Sequence, residues 1–390
     1  MRSGFGEKIE QITLKSADFF LLMVVLVLVF FGLIMVFSAS YYYSISQDDT
    51  PFSYLIRDGI WVVIGLGALL FGMLFDYHIY CNKWVAIGSL IICFLLLLAV
   101  LSPLGQEVNG AQRWIALGPI TIMPGELAKL GLIVFVAWFY GSKPRRASSL
   151  FTGLLPVFLI MGLFAVLIFK QPNLSTAITV CGIVVCMQLV AGMNWGYIAF
   201  LVALAGAGLS GLLTYAADSY WVTRITSFLD PFADAAGEGY QVVQSLLALG
   251  SGGLFGVGIG KSVQKSLYLP EPQNDFILAI IGEELGFIGV LALLFVYCLF
   301  IWRGAKIAIN APDQCGLLLA SGIVLMVAIQ VILNVAVVTS SMPPTGINLP
   351  FVSYGGNALL MFMFASGVLL NISRQIAKEK KKEIETEIIV

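Results

Sequence analysis

Charge is what this chain has least of. Only 11% of its 390 residues are Asp, Glu, Lys or Arg, roughly half the share of an ordinary soluble domain, and that excludes a soluble globular enzyme at the outset. Histidine is scarcer still, with His78 the only one. Six cysteines (Cys81, Cys93, Cys181, Cys186, Cys298, Cys315) form no C-x-x-C pair and have no companion histidines. A zinc site, or a Cys–His or Ser–His nucleophile, therefore has little to be built from. The net charge of -1 does not speak to partners, because the charges are sorted between two sides of the chain and cancel in the sum. Internal repeats, low-complexity linkers and a separate soluble domain are also missing.

What the chain has in abundance is apolar surface: 59% hydrophobic residues and a mean hydropathy of +0.96. A helix needs about 20 apolar residues to cross a bilayer. Runs of that length fall near 19–40, 58–75, 84–103, 121–140, 150–169, 174–192, 195–215, 275–302, 314–338 and 355–372. The first, Phe19 to Phe37, follows Arg2, Lys8 and Lys15 and ends in Ser38-Ala39-Ser40, which imitates a secretory signal. It is too long for one, since a signal core runs about 7–15 residues. The expected fold is a single all-α polytopic membrane domain over 1–390, with about ten spanning helices. Helical periodicity adds little, because helices in lipid or in a bundle are apolar all round.

Orientation follows the basic residues. With a cytoplasmic N-terminus, the inside loops hold Lys83, then Lys143, Arg145 and Arg146, then Arg303 and Lys306. The tail over 375–390 adds Lys378, Lys380, Lys381 and Lys382, and is expected to continue the last helix as a solvated segment. Outside, Arg57, Arg113, Arg224, Lys261 and Lys265 face a larger set of acids that includes Asp58, Glu271 and Asp275. Both termini are expected inside. The segment 216–274 is outside and far too long for a turn; loops of that length are usually functional. Its apolar stretches, Val242 to Leu249 and Leu254 to Ile259, predict that it lies on or dips into the outer membrane interface.

Three features could carry chemistry. The stretch from Gly250 to Ser262 ends in Gly260-Lys261-Ser262, but a phosphate-binding loop needs glycine where Phe255 stands. Its glycines suit a tightly turning re-entrant backbone better. Ionisable residues inside spans are costly and are functional candidates. Glu126 and Lys129, three apart, share a helix face and can pair, while Lys170 ends the fifth span and Glu283 and Glu284 lie about two turns into the eighth. The third feature is Tyr268-Leu-Pro-Glu271-Pro-Gln-Asn-Asp275-Phe276, which puts an acid at the mouth of the eighth span. Asp275 could be an ordinary helix cap. Arg113, Arg224, Lys261 and Lys265 on the same side favour a site for a polyanionic head group.

These residues resemble the SEDS family, the FtsW/RodA/SpoVE proteins. Tyr268 to Ala279 followed by Ile281-Gly-Glu-Glu-Leu-Gly286 is similar to the family signature. Asn109-Gly-Ala-Gln-Arg-Trp-Ile115 with Pro124-Gly-Glu-Leu-Ala-Lys129, Gln171 to Ala177, Arg224 to Pro231 with Gly239-Tyr-Gln241, and Thr345 to Gly356 match further segments in order. Leu369-Leu-Asn-Ile-Ser-Arg374 leans toward the FtsW/SpoVE branch. Departures are Gly125 for serine, Asn173 for aspartate, Ser175 for glycine, Asn274 for threonine, and Asn357 and Ala358 for serines.

The resemblance implies a peptidoglycan glycosyltransferase that polymerises lipid II into glycan strands outside the cytoplasmic membrane of a bacterium. Asp275 would be the general base for a sugar hydroxyl. Arg113, Lys129, Arg224, Lys261 and Lys265 are candidates to stabilise the pyrophosphate leaving group, with Arg113 and Lys265 preferred. A divalent cation, Mg or Mn, could share that task without a dedicated cage; no organic cofactor is expected. Implied partners are lipid II, a class B penicillin-binding protein and other division or elongation proteins, with no nucleic acid. Two other classes stay open: a lipid II flippase, which would gather its essential residues at mid-membrane, and a non-catalytic scaffold for a transpeptidase.

Overall fold

The computed structural model describes residues 17–108, 111–118, 120–197, 199, 230–237 and 239–389. Helices dominate: α1 (Phe19–Ser46), α2 (Ser53–Leu74), α3 (Lys83–Val100), α4 (Pro124–Gly141), α5 (Leu155–Phe169), α6 (Leu174–Val190), α7 (Tyr240–Gly252), α8 (Ile277–Ile309), α9 (Gln314–Val338) and α10 (Gly356–Ile389). Among the described residues seven helical stretches are long and apolar enough to cross a membrane, and α6 is a shorter apolar helix. The chain is a polytopic all-α membrane protein. Most of the expected run 195–215 lies outside the described residues.

The helices start where side chains can take up the free N–H groups that open a helix. Asp18, Asn82, Asn173 and Asp313 cap α1, α3, α6 and α9 in this way. Interfaces between helices rely on small residues, as expected where lipid removes the hydrophobic drive between apolar faces. On α2, a Cβ at Gly72 would lie 2.7 Å from the Phe364 carbonyl of α10, so these two backbones run nearly in contact. Large side chains such as Phe30, Val63, Ile92, Leu159 and Phe295 are exposed around the outside, where lipid would cover them. In the middle lies α9, whose buried Gln330 and Asn334 are the polar exceptions on an apolar helix.

Two features depart from a plain bundle. Between α3 and α4 the chain forms a three-stranded antiparallel sheet, β1 (Gly105–Val108), β2 (Ala111–Leu117) and β3 (Ile120–Ile122), in order β1-β2-β3. Only a short connection was expected there. Its alternation places Ala111, Arg113 and Ile115 on one face of β2, and Ala111 and Ile115 are buried.

The second departure is a break in α8. At Gly286 the backbone turns to φ 71, ψ -172, a conformation open to glycine. The carbonyls of Glu283 and Glu284 accept from Val257 and Gly258 N–H (2.9 and 3.0 Å). Phe287 and Ile288 N–H donate in turn to the Gly253 and Leu254 carbonyls (2.9 and 3.2 Å). The glycine-rich segment thus turns tightly and packs its backbone directly against α8. It satisfies the groups the break frees, as buried backbone requires.

At the basic end, Arg303 pairs with Asp18 (2.6 Å), and the Asp18 N–H donates to Ser373 (3.0 Å). A disulfide there joins Cys81 to Cys315 at the start of α9. The tail does continue the last helix, to Ile389.

Candidate active site

At the end of the bundle opposite the basic face, a cavity of about 1040 Å³ opens between the sheet, the α8 mouth and the loop before α10. Asp275, Glu271, Arg113 and Glu126 bring charge to its wall; Trp61, Trp114 and Tyr354 bring aromatic faces. Asp275 lies two residues before α8, half-buried, and does not cap it; Phe276 occupies that position without a side-chain bond. Its backbone is fixed from α9: the Asn334 amide donates to the Asp275 carbonyl (2.9 Å) and to the Ile347 carbonyl (2.7 Å). Next door, Ser353 donates to the Asn274 carbonyl (2.6 Å) and Tyr354 N–H to the Gln273 carbonyl (3.0 Å). The carboxylate is therefore presented by a turn held on two sides.

Arg113 reaches the same place from β2. Its guanidinium donates to the carbonyls of Gln171 (3.3 Å) and Pro172, which fixes its direction. A Cβ built on Gly346, which has φ +70, would lie 3.1 Å from Asp275 Oδ2 and 3.8 Å from Arg113 Nη1. Acid and cation thus converge on one point, and the missing side chain at Gly346 leaves that point open. Burial raises the Asp275 carboxyl from the ordinary 3.8 to about 6; the Glu271 carboxylate adds to the rise and Arg113 opposes it. Glu271 is itself held in the left-handed region (φ 45) and accepts from the Asn274 amide at 2.8 Å.

The other residues singled out from the sequence fare differently. Glu126 and Lys129 form the expected i,i+3 pair (2.7 Å), and Lys129 also donates to Gln330 (2.9 Å). Lys129 is only 2% exposed, so it supports the cavity floor and is not on its wall. Lys265, preferred above as a pyrophosphate ligand, is corrected: it too is 2% exposed and is tied to Glu284 (2.7 Å) and Ser38 (3.0 Å). Its reach is taken up inside the protein because the glycine-rich segment folds inward over α8. Lys261 is exposed on that segment, away from the cavity lining. Arg224 lies outside the described residues. Asn173 caps α6, its carbonyl oxygen accepting from Thr176 N–H (3.2 Å).

Three contributors were not anticipated: Glu271 as a tuning charge, Asn334 as the anchor of the Asp275 backbone, and Gly346 as the gap. Glu271 was adjacent in the motif. Asn334 was an amide inside an apolar span, a costly placement that could have flagged it. Among the described residues no group of three or more His, Cys, Asp or Glu side chains could hold a metal ion.

Known proteins resemble this chain in both sequence and fold. The family model FtsW/RodA/SpoVE, described as "Cell cycle protein", matches residues 18–378. Stage V sporulation protein E of Bacillus subtilis (strain 168) is 43% identical over 360 residues, covering 92% of this chain and 97% of that protein. A probable peptidoglycan glycosyltransferase FtsW of Geobacter sp. (strain M18) is 38% identical over 362 residues, covering 93% and 98%. Among solved structures, a chain of a peptidoglycan synthase complex that coordinates polymerization and crosslinking superposes with a TM-score of 0.76 at 27% identity, covering 92% of this chain and 98% of that one. The rod shape determining protein RodA of Thermus thermophilus gives 0.67 at 28%, covering 92% and 97%.

Proposed function

The chain belongs to the FtsW/RodA/SpoVE family, and from that premise we propose that it is a peptidoglycan glycosyltransferase polymerising lipid II at the outer face of a bacterial cytoplasmic membrane. The observation that carries the reading is the convergence of Asp275 and Arg113 beside Gly346 in an open cavity. Asp275 takes the proton of the acceptor sugar hydroxyl as its oxygen bonds to the anomeric carbon of the donor. The bond from that carbon to the pyrophosphate oxygen breaks, and undecaprenyl pyrophosphate leaves with the electron pair. A base titrating at about 6 is ionised at neutral pH yet still basic enough to help, the compromise general-base catalysis requires. Arg113, held in place by two carbonyls, meets the charge that develops on the leaving group. One displacement inverts the anomeric centre and forms no glycosyl-enzyme.

Glu271, on the same wall as Asp275, would hold a magnesium or manganese ion together with oxygens of the substrate's pyrophosphate, leaving Asp275 free to take the proton. Such an ion would supply further neutralisation of the leaving group. The reading also takes in a class B penicillin-binding protein as partner, and a role in division or spore-wall synthesis that follows the FtsW and SpoVE relatives. Transport of lipid II is the weaker reading, because the buried charges below the cavity are taken up in two ion pairs, Lys129 with Glu126 and Lys265 with Glu284.

The test is direct. Purified protein with its partner transpeptidase, lipid II and a divalent cation should yield glycan polymer, and Asp275→Ala should lower the rate by about 10²–10⁴-fold, the usual worth of a general base. Equal polymer from both proteins sinks the assignment.

A further inference from the structure

At the opposite end of the bundle, the turn between α4 and α5 is basic, well folded and unused by the reaction above. Lys143, Arg145 and Arg146 fall within four positions, and among the described residues none of them has a carboxylate at ion-pair distance. Like charges crowded without a counter-ion raise the energy of the turn unless something anionic arrives.

The turn is nevertheless built to keep its shape. A 3₁₀ turn (Pro144–Ser148) leads into a π-helical turn (Leu150–Leu154), with Leu154 N–H donating to the Ser149 carbonyl at 3.0 Å. Ala147 is 2% exposed, and Gly153 presses so closely on the Arg146 carbonyl that no Cβ would fit. Arg146 is fixed over the Phe139 ring, 4.6 Å from its centre, and donates to the Phe139 carbonyl at 3.4 Å. The result is a cavity of about 390 Å³ lined by Lys143, Pro144, Arg145, Arg146 and Thr152. Directly beyond it the surface turns apolar: Leu150, Phe151 and Leu155 are exposed, Phe151 by 76%.

We propose that this turn is a binding site for the phosphate head group of an anionic membrane lipid, with the acyl chains lying along Leu150, Phe151 and Leu155. A cationic concavity would hold any phosphate, but the apolar rim favours one that carries a hydrocarbon chain. The inference rests on membrane placement and is independent of the chemistry at Asp275.

The experiment uses the full chain purified in a neutral detergent, with phosphatidylglycerol, phosphatidylcholine or inorganic phosphate added and bound lipid read by native mass spectrometry. The wild type should retain phosphatidylglycerol in preference to phosphatidylcholine. Lys143→Gln/Arg145→Gln/Arg146→Gln should weaken that binding about a hundred-fold, at about five-fold per charge removed. Arg145→Gln alone tests the site without risk to the fold, because the Arg145 side chain is exposed and only its carbonyl is bonded, by Ser148 (3.0 Å); it should cost about five-fold. Lys378→Gln/Lys380→Gln/Lys381→Gln in the tail should leave binding at the wild-type level. The proposal is overturned if the turn variants bind phosphatidylglycerol as well as the wild type, or if the tail variant loses as much. Displacement of the lipid by inorganic phosphate at comparable concentration would also overturn it, in favour of a soluble phosphate.

Discussion

The Asp275 carboxyl is pushed up to about 6 by burial and by the Glu271 carboxylate, with the Arg113 guanidinium opposing them. Below about 6 the carboxyl is protonated and cannot accept from a sugar hydroxyl, so polymerisation should fall about ten-fold per pH unit on that limb. Glu271→Gln removes a charge that raises the value and should move the limb to lower pH. Arg113→Gln removes one that lowers it and should move the limb up, besides slowing the reaction. A pH–rate series on both variants checks this; shifts in the same direction would refute the electrostatic account. Stability follows the same titration with its own sign. The native state holds the proton that the unfolded chain gives up near 3.8, so this residue makes stability fall as pH rises from about 4 through about 6. Of these residues, Asp275 and Arg113 stand out as candidates in the sequence because their motifs are local. Asn334 and Gly346 were not, since their roles arise only when α9 and the loop before α10 meet the α8 mouth.

On the scale of elements, spans were readable because hydropathy alone drives them, and α1, α8 and α9 begin within two residues of the runs predicted. The sheet between α3 and α4 was not legible, because its strands are only three to seven residues long and most of β3 merges with the apolar run that leads into α4. Lys265 was misplaced for another reason. From sequence it lay outside with other cations, but folding carries it inward to Glu284 and Ser38. Lys265→Met should therefore act through stability, costing about 3–5 kcal/mol by leaving Glu284 buried without its cation. Lys265→Met with Glu284→Gln should recover much of that loss. Thermal denaturation of the three proteins in detergent decides; if the single variant melts like wild type, the buried pair is not what anchors the segment. The companion acid Glu283 works beside it, accepting from Ser262 and from Val263 N–H (2.8 Å).

Across the whole molecule, the polar features divide between two ends. Sheet, glycine-rich segment and cavity share one end, and Arg303, Lys306 and the α4–α5 turn share the other. Basic residues should keep the second end in the cytoplasm. Cysteines placed at the exposed Lys261 and Lys306 report on this. Lys261→Cys should react with a membrane-impermeant maleimide in cells whose cytoplasmic membrane is intact, and Lys306→Cys only after that membrane is opened; the reverse pattern would put the cavity on the wrong side for wall synthesis. The break at Gly286 also bears on how the protein is made. The groups that the break frees on α8 close their hydrogen bonds with Gly253, Leu254, Val257 and Gly258, which leave the ribosome first. Each must wait for the other, so the α8 mouth and its aspartate take shape late, as one step. A tag inserted near Phe255 would stall that step, whereas one at 232–236, before α7, would leave the order of assembly undisturbed.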